Sequence, residues 1–400
     1  MSGSILVLNA GSSSLKFTVF EAGALTLAFK GQISGIGSHP AFEAKAPGGD
    51  SLSGHHWDAA NPPSAEELLS FLIDWISARV PDGIAAAGHR IVHGGDRFTA
   101  PVLIDPAVMG QLEDLVPLAP LHQPHNLRPI RALAALYPDL PQVACFDTAF
   151  HAGQPAVCRR FGLPRELHDR GVKRYGFHGL SYTYVAEALR DLDPAAAAGR
   201  VVVAHLGSGA SLCAMQGGRS IESTMGFTAL DGVMMGTRCG SLDAGVVLHL
   251  LRQGMDAAEV ERMLYHKSGL LGVSGRSPDM RDLIGSDAPE AVEAVELFIH
   301  RVSRELGGQA ATLGGLDALV FTAGIGEHSA PVRAKICERA RWLGVELDPA
   351  ANAARFSASR RISTPSSRIP VWVIPTDEEV VIARATVDAV RRTRLPLAAE

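Results

Sequence analysis

The 400-residue sequence contains no Gly-Lys dipeptide, so it has no Walker A loop, which requires a lysine directly after the loop's last glycine. Its five cysteines include no C-x-x-C pair, which excludes a zinc ribbon and suits a reducing compartment. No apolar run approaches the roughly 18 residues of a membrane span, and the first one, "ILVL", is too short for a signal peptide. The net charge of −5 argues against a general binder of nucleic acid or membranes. We therefore predict a cytoplasmic protein with neither kind of partner.

What is present is typical of a globular protein, with 46% hydrophobic and 20% charged residues. Four hundred residues are too many for a single hydrophobic core, so we predict two or more domains. The segment "RVVVAHLGSGASLCAMQ" repeats the order strand, small-residue turn, strand of "SILVLNAGSSSLKFTVF". Strand–helix alternation follows each copy, which predicts two similar α/β domains; chance similarity between two short turns is the alternative.

Local patterns predict individual helices. Residues 64–80 have an apolar stripe at helical spacing behind Ser64 and Glu67, which have the spacing of a capping box. A second capping box is predicted for the last helix, with Thr376 as N-cap and Glu379 as its partner. That leaves Glu378 without a structural role and free to help hold a hydrated Mg²⁺, a cation that prefers oxygen ligands.

The stretch "LNAGSSSLKF" predicts a hairpin whose turn offers N–H groups and hydroxyls to phosphates. Lys16 should project from the opposite face to Leu15 and Phe17, because side chains alternate along a strand. Asn9 ends the first strand and is suited to hold a metal-bound water. The alternative is a polar turn with an exposed lysine.

One charged residue lies within a predicted apolar strand, and another follows such a strand. Arg90 lies within "GHRIVHGG" and needs an anionic partner there, either a bound carboxylate or phosphate or a structural carboxylate. Asp147 follows the strand "QVACF", where ligands of α/β sheets gather, although an Asx-turn or helix cap is the alternative.

Three further motifs combine cations or histidine with glycine. His178 precedes an amphipathic helix and could donate to a phosphoryl oxygen, or it could be a packed or capping histidine. Arg238 lies between Gly236 and Gly240, so the backbone could fold closely around a ligand. A G-x-G follows a strand at residues 324–326, which is a weak nucleotide signal by itself.

These motifs, in this order, resemble the acetate kinase family. The resemblance rests on nine blocks: "LNAGSSSLKF", "GHRIVHGG", "LAPLHQPHN", "FDTAFH", "RYGFHGLSY", "AHLGSGAS", "MGTRCGSLD", "AGIGEHS" and "PTDEE". It implies two duplicated actin-like (ribonuclease H-like) α/β domains with mixed central sheets and a nucleotide cleft between them. Residues 1–148 with 377–400 would form the N-terminal domain, and residues 149–376 the C-terminal domain with the nucleotide site and a homodimer interface. It also implies Mg²⁺, with Mn²⁺ as an alternative, and ATP or ADP as co-substrate.

The resemblance also implies roles for individual residues. Asp147, His178, Arg238 and Arg90 match catalytic residues, and Asn9 and Glu378 match metal-holding ones. Arg90, Val92, Leu121, Phe177 and Ala229 match the binding site for acetate or acetyl phosphate. Nucleotide contacts are implied for Ser12, Ser14, Lys16, His205, Leu206, Gly207, Ser208, Gly209, Asp279, Met280, Arg281, Gly324, Ile325, Gly326, Glu327 and His328.

The implied reaction is reversible, direct in-line transfer of a phosphoryl group from ATP to acetate. A carboxylate is already ionised at pH 7, so it needs cations to offset repulsion more than it needs a general base. Asp147 is therefore expected to orient Arg90 or the metal shell.

The sequence departs from the family pattern at Ser208, Ala229, Ser241, Ala244 and His328. The small Ala229 would suit propionate or butyrate, whereas Val92 favours acetate, so a propionate or butyrate kinase is the first alternative. A non-kinase ATPase of the same superfamily is a more distant one, because such a protein would not need Arg90, Arg238 and a small apolar pocket together.

Overall fold

The structure is a computed structural model that describes residues 2–58, 60–355 and 358–394. The chain divides into two compact units, one made of Met1–Ala149 and Asp377–Glu400 and the other of Phe150–Thr376. The last six residues, which the sequence analysis assigned to the N-terminal domain, lie outside the described part, as does residue 1.

The first unit contains one sheet and four α-helices among its described residues. Its strands are β1 (Ser4–Ala10), β2 (Ser14–Glu21), β3 (Leu27–Ser34), β4 (Ala41–Lys45), β5 (Ser51–His56), β6 (Ile84–Ile91), β7 (Val102–Leu103) and β8 (Gln142–Phe146). Its helices are α1 (Ala65–Ser77), α2 (Pro106–Glu113), α3 (Gln123–Leu136) and α16 (Glu378–Arg394). The strand order is β5-β4-β3-β2-β1-β6-β8-β7, with β1, β6 and β8 parallel.

The second unit has a six-stranded sheet. Its strands are β9 (Arg200–Leu206), β10 (Ala210–Gln216), β11 (Arg219–Ser223), β12 (Ala318–Thr322), β13 (Arg360–Arg361) and β14 (Val371–Val373), in the order β11-β10-β9-β12-β14-β13. Its helices are α4 (Ala156–Arg159), α5 (Arg165–Asp169), α6 (Gly179–Leu192), α7 (Pro194–Ala198), α8 (Ala244–Arg252), α9 (Ala257–His266), α10 (Gly269–Ser274), α11 (Met280–Leu283), α12 (Pro289–Thr312), α13 (Ala323–His328), α14 (Ala330–Arg339) and α15 (Pro349–Ala353).

Both sheets contain the same five-strand arrangement, which confirms the predicted duplication of mixed α/β domains. In each, three antiparallel strands are followed by two parallel ones: β3-β2-β1-β6-β8 in the first unit and β11-β10-β9-β12-β14 in the second. In the first hairpin Asn9 pairs with Lys16, and in the second His205 pairs with Ser211. Each hairpin thus ends in a short turn, and a polar pair lies one residue before the last paired residues of its strands.

The local predictions for the first unit are largely confirmed. Lys16 is exposed between the buried Leu15 and Phe17, and Ser64 and Glu67 form the capping box of α1. The predicted cap of the last helix is wrong. The Asp377 carboxylate accepts the Val380 N–H at 2.9 Å, so Asp377 and not Thr376 fills the capping position.

The core of the first unit lies between its sheet and the apolar face of α1. Leu68, Leu72 and Ile76, spaced for one helix face, pack with Phe17 and Phe42 from the sheet. In the second unit Val201 and Val203 pack with Tyr182 and Val185 of α6. These cores fix β1, β6 and β9, the strands that carry Asn9, Arg90 and His205. Among the described helices, none is both long and apolar enough to span a membrane.

Candidate active site

The first unit contains a cluster that we call the arginine–carboxylate cluster, made of Asn9, Arg90, Asp147 and Glu378. Arg90 lies near the end of β6, and Asp147 directly follows the neighbouring parallel strand β8. The guanidinium donates from Nε to Asp147 Oδ1 at 3.0 Å and from Nη2 to Oδ2 at 2.7 Å. This parallel fork gives Arg90 the anionic partner that its apolar strand requires.

The other two members of the cluster lie around the same guanidinium. Arg90 Nη1 donates to Asn9 Oδ1 at 3.4 Å, and Arg90 Nε lies 3.9 Å from Glu378 Oε2, too far for a hydrogen bond. Lys16 faces Asn9 across the hairpin. Five predicted site residues of the first unit therefore lie in one place. They are Asn9 on β1, Lys16 on β2, Arg90 on β6, Asp147 after β8 and Glu378 on α16.

Burial and charge oppose each other in this cluster. Burial lowers the pKa of Arg90, but Asp147 and Glu378 outweigh it and hold that pKa above its usual range. Burial raises the pKa of Glu378 to about 7, against the attraction of Arg90, while Asp147 and Glu379 add to the rise. Burial therefore disfavours the ionised form of Glu378 more strongly than Arg90 favours it.

A hydrated Mg²⁺ is a cation that could favour the ionised form of Glu378, because it needs few protein oxygens and keeps several waters. The Glu378 carboxylate and the Asn9 amide oxygen are ligands of the kind it prefers. Among the described residues, no group of three or more His, Cys, Asp or Glu could enclose a metal ion. Asn9 and Glu378 could therefore supply two oxygen ligands to such an ion.

The loop after β6 is held by two amides of α3 that the sequence analysis did not identify as functional. Asn126 accepts the Val92 N–H at 3.0 Å and donates to the Ala10 carbonyl at 2.7 Å, so it ties the ends of β6 and β1 together. Gln123 accepts the His93 N–H at 3.3 Å and donates to its carbonyl at 3.1 Å. Both amides lie in "LHQPHN" and are buried, but no local sequence pattern indicates their backbone partners.

The second unit contains the two-histidine cluster, made of His178, Ser181, Tyr182, His205 and Ser211. The two imidazole rings stack with centroids 4.1 Å apart and an interplanar angle of 15°. Each ring is held at Nδ1 by a serine, His178 by Ser211 and His205 by Ser181, both at 2.8 Å. Tyr182 OH lies 2.5 Å from Ser211 Oγ.

His178 has a left-handed backbone at the start of α6, with φ of 59°. For a residue other than glycine this conformation costs roughly 1 kcal/mol, and such strain concentrates at functional sites. This backbone conformation places the His178 side chain before the first turn of the helix. There the stacked ring of His205 and the hydroxyl of Ser211 hold the imidazole in place.

Arg238 approaches the turn between β9 and β10. Its Nη1 donates to the Ala229 carbonyl at 3.0 Å. A Cβ placed on Gly209 would lie 3.4 Å from His178 Nε2 and 3.9 Å from Arg238 Nη1. His178 and Arg238, both predicted catalytic residues, therefore converge on this glycine turn within the second unit.

Most of the predicted nucleotide contacts of this unit line one pocket of about 620 Å³, which we call the glycine-rich pocket. This volume is in the range of small-molecule and cofactor sites. Its predicted lining residues are Gly207, Ser208, Asp279, Met280, Arg281, Gly324, Ile325 and His328. Pro278, Ile284, Ser329 and Pro331 also line it and were missed; Ile284 could have been found from its helical spacing to Met280.

The other predicted nucleotide residues of the second unit do not line this pocket: His205, Leu206, Gly209, Gly326 and Glu327. Leu206 is fully buried, and His205 belongs to the two-histidine cluster. Glu327 turns inward, where its Oε1 accepts the Ala323 N–H at 2.9 Å and the Thr376 N–H at 3.2 Å. It thereby holds the left-handed Ala323, φ 63°, at the edge of the pocket.

The predicted acyl-binding residues are divided between the units. Val92 is buried in the first unit, where Leu121 is partly exposed. In the second unit Phe177 is buried, and its carbonyl accepts a hydrogen bond from His151 Nε2 at 2.9 Å. Ala229 is partly exposed and presents its carbonyl to Arg238. Ser12 is exposed and Ser14 partly exposed at the first hairpin turn.

Comparison with known proteins identifies relatives over almost the full length. Residues 4–384 match the acetokinase family. An acetate kinase of Rhodopseudomonas palustris is 55% identical over 391 residues, which cover 96% of this chain and 98% of that protein. The crystal structure of Porphyromonas gingivalis acetate kinase aligns with a TM-score of 0.88 at 35% identity, covering 98% of this chain and all of the other. A propionate kinase from Francisella tularensis aligns with a TM-score of 0.90 at 35% identity, covering 97% and 100%.

Proposed function

The chain belongs to the acetokinase family and is thus a kinase, and from this premise we propose that it transfers the γ-phosphoryl group of ATP reversibly to acetate. One carboxylate oxygen of acetate forms a bond to phosphorus, while the bond from phosphorus to the β–γ bridging oxygen breaks. The products are acetyl phosphate and ADP. The observation that carries the proposal is the pairing of Arg90 with Asp147 at 2.7 Å, which presents a fixed guanidinium beside a magnesium-type donor set.

The chemistry needs positive charge in a fixed arrangement, because both substrates are anions. Arg90 would bind the acetate carboxylate, with Asp147 holding the guanidinium plane. Arg238 and Lys16 would neutralise charge on the transferring phosphoryl group, and His178 would donate a hydrogen bond to one of its oxygens. Each of these groups acts by position and electrostatics, and none has to remove a proton from acetate.

We assign ATP or ADP to the glycine-rich pocket and Mg²⁺ to Asn9 and Glu378. The pocket supports the nucleotide because glycines and a helix start let backbone N–H groups approach phosphates closely. Ser12 and Ser14 would add hydroxyl contacts from the first hairpin turn. When bound, the metal would neutralise phosphate charge, and Mn²⁺ could replace it because it accepts the same oxygen ligands.

We further propose that the protein is a cytoplasmic homodimer. Cytoplasmic location follows from the need for ATP. The dimer is supported by α8, which has no buried residue and exposes a row of apolar side chains: Leu242 just before it, and Val246, Leu248 and Leu251 within it. Apolar patches of this kind mark protein interfaces more often than free surface.

Propionate is the second candidate substrate. Two observations favour it: the similarity to a propionate kinase and the small side chain of Ala229 next to Arg238. Buried Val92 opposes it by narrowing the acyl site. One methylene group of a substrate changes kcat/KM by about 10- to 200-fold in an apolar pocket. A single pocket residue can therefore decide between acetate and propionate.

The test is coupled phosphotransfer with acetate, propionate and butyrate, each at matched ATP and Mg²⁺. Acetate should give the highest kcat/KM, and acyl phosphate should form in proportion to ADP. No turnover with any of the three acids would refute the proposal. ATP hydrolysis that is unaffected by all three would indicate a non-kinase ATPase instead.

A further inference from the structure

We propose that Tyr182 and Ser211 form a one-way chain of hydroxyl groups that fixes the tautomer of His178, so that its neutral ring carries the proton on Nε2. Tyr182 and Ser211 are then positioning residues for His178. The hydrogen-bond chain is independent of the substrate; only its effect on turnover rests on the proposed function.

The three groups are close enough for two strong hydrogen bonds in series. Ser211 Oγ lies 2.8 Å from His178 Nδ1 and 2.5 Å from Tyr182 OH. Ser211 and Tyr182 are completely buried, on β10 and α6 respectively. Tyr182 belongs to the close-packed core of the second unit, and neither hydroxyl is exposed to bulk water.

The direction of the chain follows from counting donors and acceptors. The Tyr182 hydroxyl hydrogen has one acceptor within reach among the described residues, Ser211 Oγ. A buried phenol leaves its hydrogen unpaired only at a high cost, so Tyr182 donates and Ser211 accepts. The Ser211 hydrogen must then go to its remaining partner, His178 Nδ1.

His178 Nδ1 therefore accepts, and the proton of the neutral imidazole lies on Nε2. The opposite tautomer would place two hydrogens against each other, or leave the hydrogen of Tyr182 or of Ser211 without an acceptor. Burial also raises the pKa of Tyr182 well above its usual value, so the phenol keeps its hydrogen at neutral pH. The chain thus has one stable direction.

The protonated nitrogen faces the predicted reaction site. His178 Nε2 is the atom that a Cβ on Gly209 would meet at 3.4 Å, and Gly209 belongs to the turn that Arg238 also approaches. A neutral imidazole with Nε2–H is a hydrogen-bond donor at the place where charge would develop on the phosphoryl oxygens. With the other tautomer it would present a lone pair there and repel the same oxygens.

The other histidine of the cluster provides an internal reference. His205 is stacked on His178, and its Nδ1 is hydrogen-bonded to Ser181. This hydrogen bond involves neither Ser211 nor Tyr182. A change at Ser211 removes the partner of one ring and leaves the other ring's partner in place. The two rings can therefore be compared in a single sample.

The test is nitrogen NMR of the full-length protein labelled with ¹⁵N-histidine, with His178 assigned from a His178→Gln sample. In the wild type at pH 8, His178 Nδ1 should have the shift of an unprotonated nitrogen and Nε2 that of a protonated one. The double variant Ser211→Ala/Tyr182→Phe removes both hydroxyls without leaving an unpaired phenol. Its two His178 nitrogens should move toward a mixture of tautomers, from a preference of at least about fivefold.

Three comparisons separate the chain from general damage to the fold. Tyr182→Phe alone should move the His178 signals part of the way toward the mixture, because Ser211 can then accept from Nδ1 as well as donate to it. Tyr184→Phe, on the same helix, should leave the His178 signals unchanged. The His205 signals should stay in place in every variant, and thermal unfolding should remain cooperative.

The proposal is overturned if wild-type His178 carries its proton on Nδ1, or if the double variant leaves the tautomer unchanged. With acetate as substrate, the double variant should lower kcat about tenfold with little change in KM, as expected for a donor that acts in the transition state. If the wild type does not phosphorylate acetate, that kinetic result fails while the NMR result still stands. The failures of the chain and of the proposed function are therefore distinguishable.

Discussion

Asp147 holds Arg90 through two parallel hydrogen bonds, 3.0 Å from Nε to Oδ1 and 2.7 Å from Nη2 to Oδ2. The Asp147 side chain is 2% exposed and that of Arg90 23%, so the pair is only partly screened by water. Removing one partner of such a pair leaves an uncompensated charge, which is more damaging than the pair is stabilising. This pair links the stability of the first unit to the position of its proposed substrate-binding arginine.

Asp147→Asn should therefore affect both stability and turnover. We expect the free energy of unfolding to fall by about 2 kcal/mol, because an amide cannot compensate the guanidinium charge. We expect kcat for acetate to fall about 100-fold, since Arg90 loses its fixed orientation. Chemical unfolding and steady-state kinetics measure the two effects. Glu113→Gln, which breaks the exposed pair with Arg131, is the matched control and should change stability by less than about 0.5 kcal/mol. Unchanged kcat in Asp147→Asn would show that Asp147 does not orient Arg90 for the reaction.

Glu378→Gln tests the proposed magnesium site. The amide keeps the size of the side chain but removes the negative charge that attracts a hard cation. The Mg²⁺ concentration for half-maximal activity should rise at least about tenfold. Glu379→Gln removes the same charge one residue along α16 and should change this concentration little. An unaltered Mg²⁺ requirement in Glu378→Gln would argue against Glu378 as a metal-holding residue.

Arg238→Ala should abolish phosphoryl transfer without unfolding the protein. Arg238 donates to the Ala229 carbonyl and approaches the Gly209 turn, so its loss removes a cation from the candidate site while leaving the backbone of the loop in place. We expect kcat to fall about 1,000-fold, in line with the general cost of losing a charge-stabilising arginine in phosphoryl transfer. Arg262→Ala, at an exposed position on α9, is the control and should retain full activity. A near-normal kcat for Arg238→Ala would remove Arg238 from the site.

Val92→Ala tests the acyl preference. Shortening a buried side chain at the end of β6 should enlarge the space for the acyl group, so kcat/KM for propionate relative to acetate should rise about tenfold. The same substitution at Val102, a partly buried residue of β7, removes the same methyl groups away from the candidate site. An equal preference in Val92→Ala and Val102→Ala would show that Val92 does not line the acyl site.

His89 predicts a pH dependence of stability that involves no ligand. This histidine is completely buried on β6 with Nε2 2.8 Å from Gln142 Oε1, and burial lowers its pKa to about 4 although Gln142 opposes the shift. The unfolded chain, with a histidine pKa near 6.5, then binds more protons than the folded protein between about pH 4 and 6.5. The His89 contribution is fully present above that window and is lost as the pH falls through it.

We expect the wild type to lose about 2 kcal/mol of unfolding free energy from this group between pH 7.5 and 5. His89→Gln can keep a bond to Gln142 but cannot be protonated, so its stability should fall less over the same interval. The exposed His39→Gln variant should follow the wild type. Parallel curves for His89→Gln and the wild type would contradict the assignment. Denaturant unfolding at several pH values makes the comparison.

Much of the fold could be predicted because its signals are local. The first hairpin, the capping box of α1 and the strand "QVACF" follow from alternation, spacing and β-branched content over a few residues. The duplication was visible for the same reason, since both hairpins repeat a short pattern. The last helix was harder, because Thr376 and Asp377 are adjacent cap candidates and only the backbone geometry decides that Asp377 reaches the Val380 N–H.

Residues that act through distant partners could not be predicted. Ser211 and Tyr182 meet across 29 positions of sequence, and Asn126 reaches Ala10 across 116. No local sequence pattern around Tyr182 or Asn126 indicates which distant residue it contacts. Glu327 illustrates the converse, because its place in "AGIGEHS" suggested a nucleotide contact while its carboxylate holds backbone N–H groups.

The helix α16 places a condition on how the protein is made. It packs against β6 so closely that a Cβ on Gly88 would overlap Thr386 Oγ1 and lie 2.6 Å from Ile382 Cγ2. The first unit is therefore completed by residues that are translated after the whole of the second unit, whereas Phe150–Thr376 is contiguous in the chain. During synthesis the second unit can fold first, while one face of the N-terminal sheet remains uncovered until α16 has been made. A chain that stops before α16 would leave the N-terminal half, and not the C-terminal half, unfinished.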